Sequence, residues 1–224
     1  MDAVILDVGG VLLVPHFETV NPALEPFGAH LDLDGAERAH YFGARALDES
    51  LDERNAYITA YALAAGVPES RVNEAIEAIW QGWAQPNIEV WRQHVRGSLD
   101  GMWRLGKRGV KLGIISNSDG TVEEQLRRGE ICQVGEGVGV PVLAIIDSGV
   151  VGVSKPAVEI FRHALEPIGV EPERALYVGD TVRYDVRGAR AAGLVPVHFD
   201  RYELCPERDD HAHVTDLAEV EALL

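Results

Sequence analysis

The chain has 224 residues, 46% hydrophobic and 25% charged, an ordinary globular balance that can bury a sizeable core, and a length that suits one large domain or one domain with a smaller one inserted. Its 20 basic residues against 36 acidic ones leave a net charge of −16. That charge keeps the surface soluble and argues against nucleic acid or an anionic membrane as a partner, while a small anionic substrate stays compatible with it if local cations hold the anion.

The first predicted element is a short buried strand. Val4, Ile5 and Leu6 are too few for a stable helix, and they run into Asp7 and then Gly9 and Gly10 before a second apolar run begins. Asp7 therefore sits where a buried strand emerges, and a carboxylate there needs a cation or hydrogen bonds to offset its desolvation. The glycines let the backbone turn tightly and lie close to whatever Asp7 faces. The competing reading is a strand followed by a loop with a solvated aspartate. Nothing at the N-terminus resembles a signal peptide and nothing in the chain resembles a membrane span, so a cytoplasmic location is expected. Cys132 and Cys205 are far apart and in no metal-spaced pattern, which predicts two free thiols in a reducing compartment.

From about Phe17 to Pro86 the composition turns helical. Arg45 to Ala65 is rich in Ala, Leu, Glu and Tyr and is ended by Gly66-Val67-Pro68. Val72, Ala75, Ile76, Ile79, Trp80 and Trp83 then recur three or four apart, the stripe of an amphipathic helix. With Tyr41, Phe42, Tyr57 and Tyr61 opposite, that stripe is expected to form the core of a small helical unit rather than a substrate pocket. Gln85-Pro86-Asn87 reads as a boundary, and the stretch after it reads as helical to about Leu105.

Then strands alternate with helices: strand at Lys111–Ile115, helix at Thr121–Arg128, strand at Val142–Ile146, helix at Val158–Ile168, strand at Ala175–Val178, helix at Val182–Ala192, strand at Val195–Phe199 and a last helix at Thr215–Leu224. That alternation predicts an α/β fold with a mainly parallel sheet and helices on both faces, in which ligands bind outside the carboxyl ends of the strands near a switch in strand order. The polar residues fall at those ends. Asp7 follows Val4-Ile5-Leu6, Ser116-Asn117 follows Ile114-Ile115, Gly179-Asp180 follows Tyr177-Val178, and Lys155 follows the Val142–Ile146 strand in Val153-Ser154-Lys155-Pro156.

In this order the four segments resemble the haloacid dehalogenase-like hydrolase superfamily over the whole chain. Asp7 is similar to the nucleophile of its first motif, Ser116 to the hydroxyl of the second, Lys155 to the lysine of the third, and Asp180 and Asp185 in Gly179-Asp180-Thr181-Val182-Arg183-Tyr184-Asp185 to the fourth. The resemblance implies a Rossmann-like hydrolase core of residues 1–15 and 88–224 and an inserted α-helical cap of residues 16–87. It implies a magnesium-dependent phosphate-ester hydrolase acting on a small phosphorylated molecule through an aspartyl-phosphate. Catalysis would fall to Asp7, Ser116 and Lys155. Ser116, Asn117 (through its backbone N–H) and Lys155 would hold the phosphoryl oxygens. Mg2+ would be bound by Asp7, the main-chain carbonyl of Gly9, Asp180 and, directly or through water, Asp185. Clustered carboxylates raise one another's pKa, which a hard cation relieves.

Gly9 departs from the family pattern, since most of its phosphatases carry there the aspartate that protonates the leaving group. Two rival readings follow: a 2-haloacid dehalogenase using Asp7 on carbon, and a phosphate-ligand binding protein that has lost catalysis. Four further candidates lie outside the motifs. Gly135–Gly139 reads as a loop without dinucleotide spacing. His211 and His213 supply only part of a metal site and are expected in a solvated turn. His16 is either a loop residue or a substrate contact. Asp119 is expected to cap the helix near Thr121.

Overall fold

A computed structural model describes residues 1–50, 53–85 and 88–224; Pro86 and Asn87, where a boundary is expected, lie outside the described residues. In chain order the strands are β1 (Ala3–Leu6), β2 (Leu13–Pro15), β3 (Trp91–His94), β4 (Lys111–Ser116), β5 (Cys132–Val134), β6 (Val140–Val142), β7 (Ala144–Asp147), β8 (Ala175–Gly179), β9 (Val195–Phe199) and β10 (Ala212–Val214). The helices are α1 (Phe17–Leu24), α2 (Leu33–Glu49), α3 (Glu53–Ala64), α4 (Val72–Trp83), α5 (Ser98–Lys107), α6 (Val122–Arg128), α7 (Ser148–Val151), α8 (Val158–Ile168) and α9 (Arg187–Ala191). The chain divides into two units, one of Met1–Leu12, Arg96–Arg201 and Pro206–Leu224, the other of Leu13–Val95 and Tyr202–Cys205.

The first unit is built on a six-stranded sheet in the order β10-β9-β8-β1-β4-β7, and every neighbouring pair in it is parallel. All residues of β1 and β8 are buried, as expected of central parallel strands covered on both faces. The chain runs outward from β1 through β4 to β7, then returns to the other side of β1 for β8, β9 and β10. The reversal falls at β1, so the strand that carries Asp7 lies at the switch in strand order. One face is covered by α8, whose Ile160, Phe161, Ala164, Leu165 and Ile168 recur at helical spacing and pack on Ile5, Ile115 and Tyr177. Phe161 meets the Tyr177 ring edge-on at 5.0 Å between centroids.

The second unit is helical. Ala75 and Ile79 of α4 are buried with Val20, Leu24, Ala36, Ala39, Ile58 and Tyr61, and Val72, Ile76, Tyr57, Trp80 and Trp83 pack against them. The α4 stripe with Tyr57 and Tyr61 thus forms the core of this unit, whereas Tyr41 and Phe42, expected with them, stand against Tyr202 and Arg38. Asn21 ties its interior, donating to Leu31 O and accepting from Leu31 N, each at 2.8 Å. Strands β2 and β3 pair antiparallel where the chain enters and leaves the unit.

Four local expectations are corrected. Residues 91–94, read as helical, form β3, a strand whose polar Gln93 is buried and donates to Leu33 O at 2.9 Å; so short and polar a strand carries no apolar alternation. The expected Val142–Ile146 strand is displaced to β7, ending at Asp147, while Val142 pairs in β6 with β5. The helix expected from Val182 begins as a π-helical turn, Val182–Val186, and the last helix is a 3-10 segment, Leu217–Leu223.

The residue that fixes the loop after β4 is Asp147. Its carboxylate accepts from the backbone N–H of Gly120 at 3.0 Å, Val122 at 3.1 Å and Gly149 at 2.8 Å. Asp147, rather than Asp119, therefore satisfies the start of α6; Asp119 accepts instead from the Thr121 hydroxyl at 2.6 Å. Hydrogen bonds to a charged group contribute about 1.5–3 kcal/mol each, and two of these three donors lie on exposed glycines that water can reach, so Asp147→Ala is expected to cost about 3 kcal/mol, with Asp147→Asn costing less. Urea denaturation of the two variants checks this.

Candidate active site

The sheet register brings the motif residues together. Leu6 pairs with Ile114 on one side and Val178 on the other, and Asp7 N donates to Val178 O at 2.9 Å, extending the ladder by one residue. Asp7, Ser116 and Asp180 therefore stand at the same edge of three adjacent strands. Lys155 reaches that edge from the segment before α8. That segment is fastened by Asn117, whose side chain accepts from Lys155 N at 2.8 Å and donates to Lys155 O at 3.1 Å. The sequence offered Asn117 for its backbone N–H; its side chain is a positioning group for the lysine.

At the centre is a buried ionic cluster. Lys155 Nζ lies 2.8 Å from Asp7 Oδ1, 2.7 Å from Asp185 Oδ1 and 2.9 Å from the Tyr177 hydroxyl. Asp7 Oδ1 also accepts from Val8 N at 2.7 Å. No hydrogen bond from the described residues falls on Asp7 Oδ2, nor on the hydroxyl of Ser116. Asp185 is engaged at both oxygens. Oδ1 accepts from Lys155 and from Tyr177 at 3.0 Å, and Oδ2 accepts from the backbone and the hydroxyl of Thr181, at 3.0 and 2.5 Å. Those four bonds fill the lone-pair positions of a carboxylate. The Asp185 carboxylate also lies against Gly179, where an added Cβ would come within 2.2 Å of its carboxyl carbon; only glycine leaves it room.

Tyr177 and Thr181 were not legible as site residues. Tyr177 reads as one more apolar position in Ala175–Gly179, yet a fully buried tyrosine hydroxyl requires a partner, and that requirement was the available signal.

Burial raises Asp7 to about 7, the negative charges of Asp185 and Asp180 add to the rise, and Lys155 opposes it. Asp185, equally buried, moves the other way, because the Lys155 charge and the hydrogen bonds from Lys155 and Thr181 outweigh its desolvation. Burial alone would depress Lys155, but the charges of Asp185 and Asp7 hold it above its ordinary value. The two acids nearest Lys155 thus have opposed tendencies: Asp185 is the stably ionised partner and Asp7 carries the surplus negative charge.

Other sequence candidates fall elsewhere. His16 caps α1, its Nδ1 accepting from Glu18 N at 3.2 Å. Gly135–Gly139 lies in the loop between β5 and β6, with Gln133 bonded to Gly135 and Gly139 across it. Cys132 and Cys205 are buried and form no disulfide. His211 and His213, expected in a solvated turn, are largely buried, with side-chain exposures of 0% and 11%. No helix among the described residues is long and apolar enough to cross a membrane.

The parallel sheet with an aspartate at its switch strand, a buried lysine on that aspartate and an acid pair just after the neighbouring strand define a hydrolase of the haloacid dehalogenase type. Residues 1–193 match that family as a whole, and the chain belongs to the haloacid dehalogenase-like hydrolases. Phosphoserine phosphatase of Thermus thermophilus is 33% identical over 208 residues, covering 88% of this chain and 73% of its own. A glyceraldehyde 3-phosphate phosphatase of Methanopyrus kandleri is 42% identical over 69 residues, 30% of either chain. In fold, the chain is similar to a HAD phosphatase from Thermococcus onnurineus (TM-score 0.60, 20% identity, covering 100% of this chain and 97% of that one). It is also similar to a 2-haloacid dehalogenase from Pseudomonas syringae pv. Tomato (TM-score 0.56, 19% identity, 100% and 97%).

The donor set fits a hard divalent cation such as the Mg2+ that the family resemblance implies. One oxygen each of Asp7, Asp180 and Asp185 lies within 4.8 Å of the others, all three buried; with Asp185 already bonded at both oxygens, the cation would fall to Asp7 and Asp180, and the surplus charge on Asp7 is what it would neutralise. In chelator, a raised folded-state pKa means that the native protein keeps a proton which the unfolded chain releases. Wild type is therefore expected to be most stable, relative to Asp7→Asn, below pH about 4 and to lose that advantage as pH rises through about 7. Saturating Mg2+ should remove the loss. Urea midpoints of both proteins from pH 4 to pH 8 test it; a wild-type advantage that grows with pH in chelator would contradict the charge balance described above.

Proposed function

We propose that this enzyme removes phosphate from a small organic phosphate, with Asp7 as the nucleophile and Mg2+ as its cation. The observation that carries the reading is the asymmetry of Asp7: one oxygen is pinned by Lys155 and Val8 N–H, and the other is left without a hydrogen bond in a buried acid cluster. An oxygen so oriented suits attack on phosphorus, giving an aspartyl-phosphate that water then hydrolyses. Asp7, Asp180 and the Gly9 carbonyl would hold Mg2+, which would supply charge neutralisation for the phosphoryl group. Asp185, saturated by its own hydrogen bonds, is assigned to holding Lys155 and, at most through water, to the metal.

The remaining work falls to side chains of this chain. The Lys155 ammonium keeps Asp7 in orientation and offsets charge on the phosphoryl oxygens. The Ser116 hydroxyl and the Asn117 N–H donate to those oxygens. Such positioned donors supply most of the stabilisation in phosphoryl transfer. Residues 1–15 and 88–224 are read as the hydrolase core and the helical residues 16–87 as a cap that sets substrate choice, in a cytoplasmic enzyme. The phosphomonoester substrates named for the two curated relatives support a small phosphorylated metabolite, without selecting one.

Gly9 leaves no side chain to protonate the departing oxygen, and a positioned general acid contributes about 10²–10⁴ in rate. Wild type should therefore show a steep fall of kcat/KM with rising leaving-group pKa across a series of aryl and alkyl phosphates. The left-handed residue of this turn is Gly10, with φ 68°, and position 9 is not in that region, so its backbone admits a side chain, and Gly9→Asp is expected to flatten the dependence. Hydrolysis should vanish in excess chelator and in Asp7→Asn. A flat wild-type dependence would mean another acid serves the leaving group, and an active Asp7→Asn protein would overturn the mechanism.

A further inference from the structure

A second cluster of ligating side chains lies at the edge of the sheet, apart from the carboxylates. His198 of β9 and His213 of β10 are paired in parallel register, so their side chains stand side by side on one face. His211 is two residues before His213 and shares that face. The rings of His211 and His213 stack at 4.4 Å between centroids, and His198 lies 5.3 Å from the first and 5.2 Å from the second. One ring nitrogen of each lies within 4.8 Å of one from each of the others.

The surroundings fix which nitrogen is which. His198 Nε2 is 3.1 Å from the main-chain carbonyl of Asp180, an acceptor only, so Nε2 carries the proton and Nδ1 the lone pair. His211 Nδ1 is 3.2 Å from Asp210 Oδ2, so Nδ1 carries the proton and Nε2 the lone pair. Those two lone pairs face each other at 3.2 Å. His213 Nδ1 is 3.3 Å from Asp200 Oδ2, yet neither of its ring nitrogens has a hydrogen-bond partner and both are sealed from solvent. His198 and His211 thus each turn one nitrogen toward an oxygen, of Asp180 and Asp210, and the other toward each other, while His213 has Asp200 beside its Nδ1 and one ring nitrogen within 4.8 Å of theirs. This is the arrangement in which metal-ligating histidines are held, with a carbonyl or carboxylate behind each ring. A tetrahedral centre with Zn–N bonds of about 2.0–2.1 Å has ligand nitrogens about 3.3–3.4 Å apart, close to the 3.2 Å observed.

We propose that His198, His211 and His213 form a binding site for Zn2+, distinct from the Mg2+ site in donor type. Imidazole nitrogens select a borderline metal, whereas the oxygen cluster around Asp7 selects a hard one. Asp200 and Asp210 balance its charge. The ion staples β10 to β9, and through the His198 hydrogen bond it bears on the main chain of Asp180.

The test uses the full chain, stripped with chelator and held in saturating Mg2+. Titration with Zn2+ should show one equivalent bound with micromolar or tighter affinity and a rise in Tm. Co2+ in place of Zn2+ should give the intense visible bands of a tetrahedral centre, discharged by Zn2+. His213→Gln and His211→Gln should each weaken Zn2+ binding about 100-fold or more, and Asp210→Asn about 10-fold, while Asp7→Asn binds as wild type does. The wild-type stoichiometry and Co2+ spectrum decide the matter even if a histidine variant folds poorly. Absence of tight Zn2+ binding, a weak octahedral Co2+ spectrum, or binding that Mg2+ displaces or that Asp7→Asn abolishes would overturn the proposal. The His198–His211 contact would then be an imidazole pair sharing a proton.

Discussion

The Lys155 ammonium, shared between Asp7 and Asp185, is the contact on which the site depends. It is buried, as are both of its partners, and buried charges persist only when they are paired and their remaining donors and acceptors are filled. Asp185 meets that condition completely, with four hydrogen bonds to one carboxylate. Asp7 meets it at one oxygen only. The difference separates a fully bonded carboxylate from the one proposed as nucleophile, of the same residue type, a few ångströms away. It also explains the local architecture: the π-helical turn at Val182–Val186 brings Asp185 back onto Thr181, Gly179 leaves room for its carboxylate, and Phe161 pins the ring of Tyr177 so that the hydroxyl meets the ammonium.

The residues legible from the strand pattern were those that follow an apolar run, while Lys155 and Asp185 were legible only through the family resemblance. Asp7, Ser116 and Asp180 each end a buried strand, and a polar group there is conspicuous. The parallel alternation was legible for the same reason, because doubly covered strands are continuously apolar. The polar β3 was not, and Asp147 was missed although it too ends a strand of the same sheet, the half-buried edge strand β7. The Asp147 carboxylate is taken by three backbone donors, two of them about 25 residues earlier in the chain, so the same position at the same sheet edge yields a brace. His198 was missed for a related reason. Its neighbours in the chain are apolar or acidic, and its partnership with His211 and His213 exists only through the register of β9 with β10.

Fold alone does not choose the reaction. A phosphatase and a dehalogenase are about equally similar to this chain in structure. The choice rests on charge: attack on carbon needs no cation, whereas this site gathers three buried carboxylates, two of them on a single lysine, and raises Asp7. Relatives of 33% and 42% identity, both phosphatases, point the same way. In the proposed mechanism the glycine at position 9 concerns the proton for the leaving group and the activation of water, not the cation, because a backbone carbonyl remains available there whatever the side chain.

The central claim is that Asp7 attacks phosphorus. Its most direct test is an acid quench of the enzyme during turnover of a phosphate-labelled aryl phosphate in Mg2+, followed by peptide mapping. The account predicts label on the Asp7 peptide, released by hydroxylamine as an acyl phosphate is, and none on Asp7→Asn. Label-free enzyme quenched during the first turnover, or label on any other residue, would contradict it.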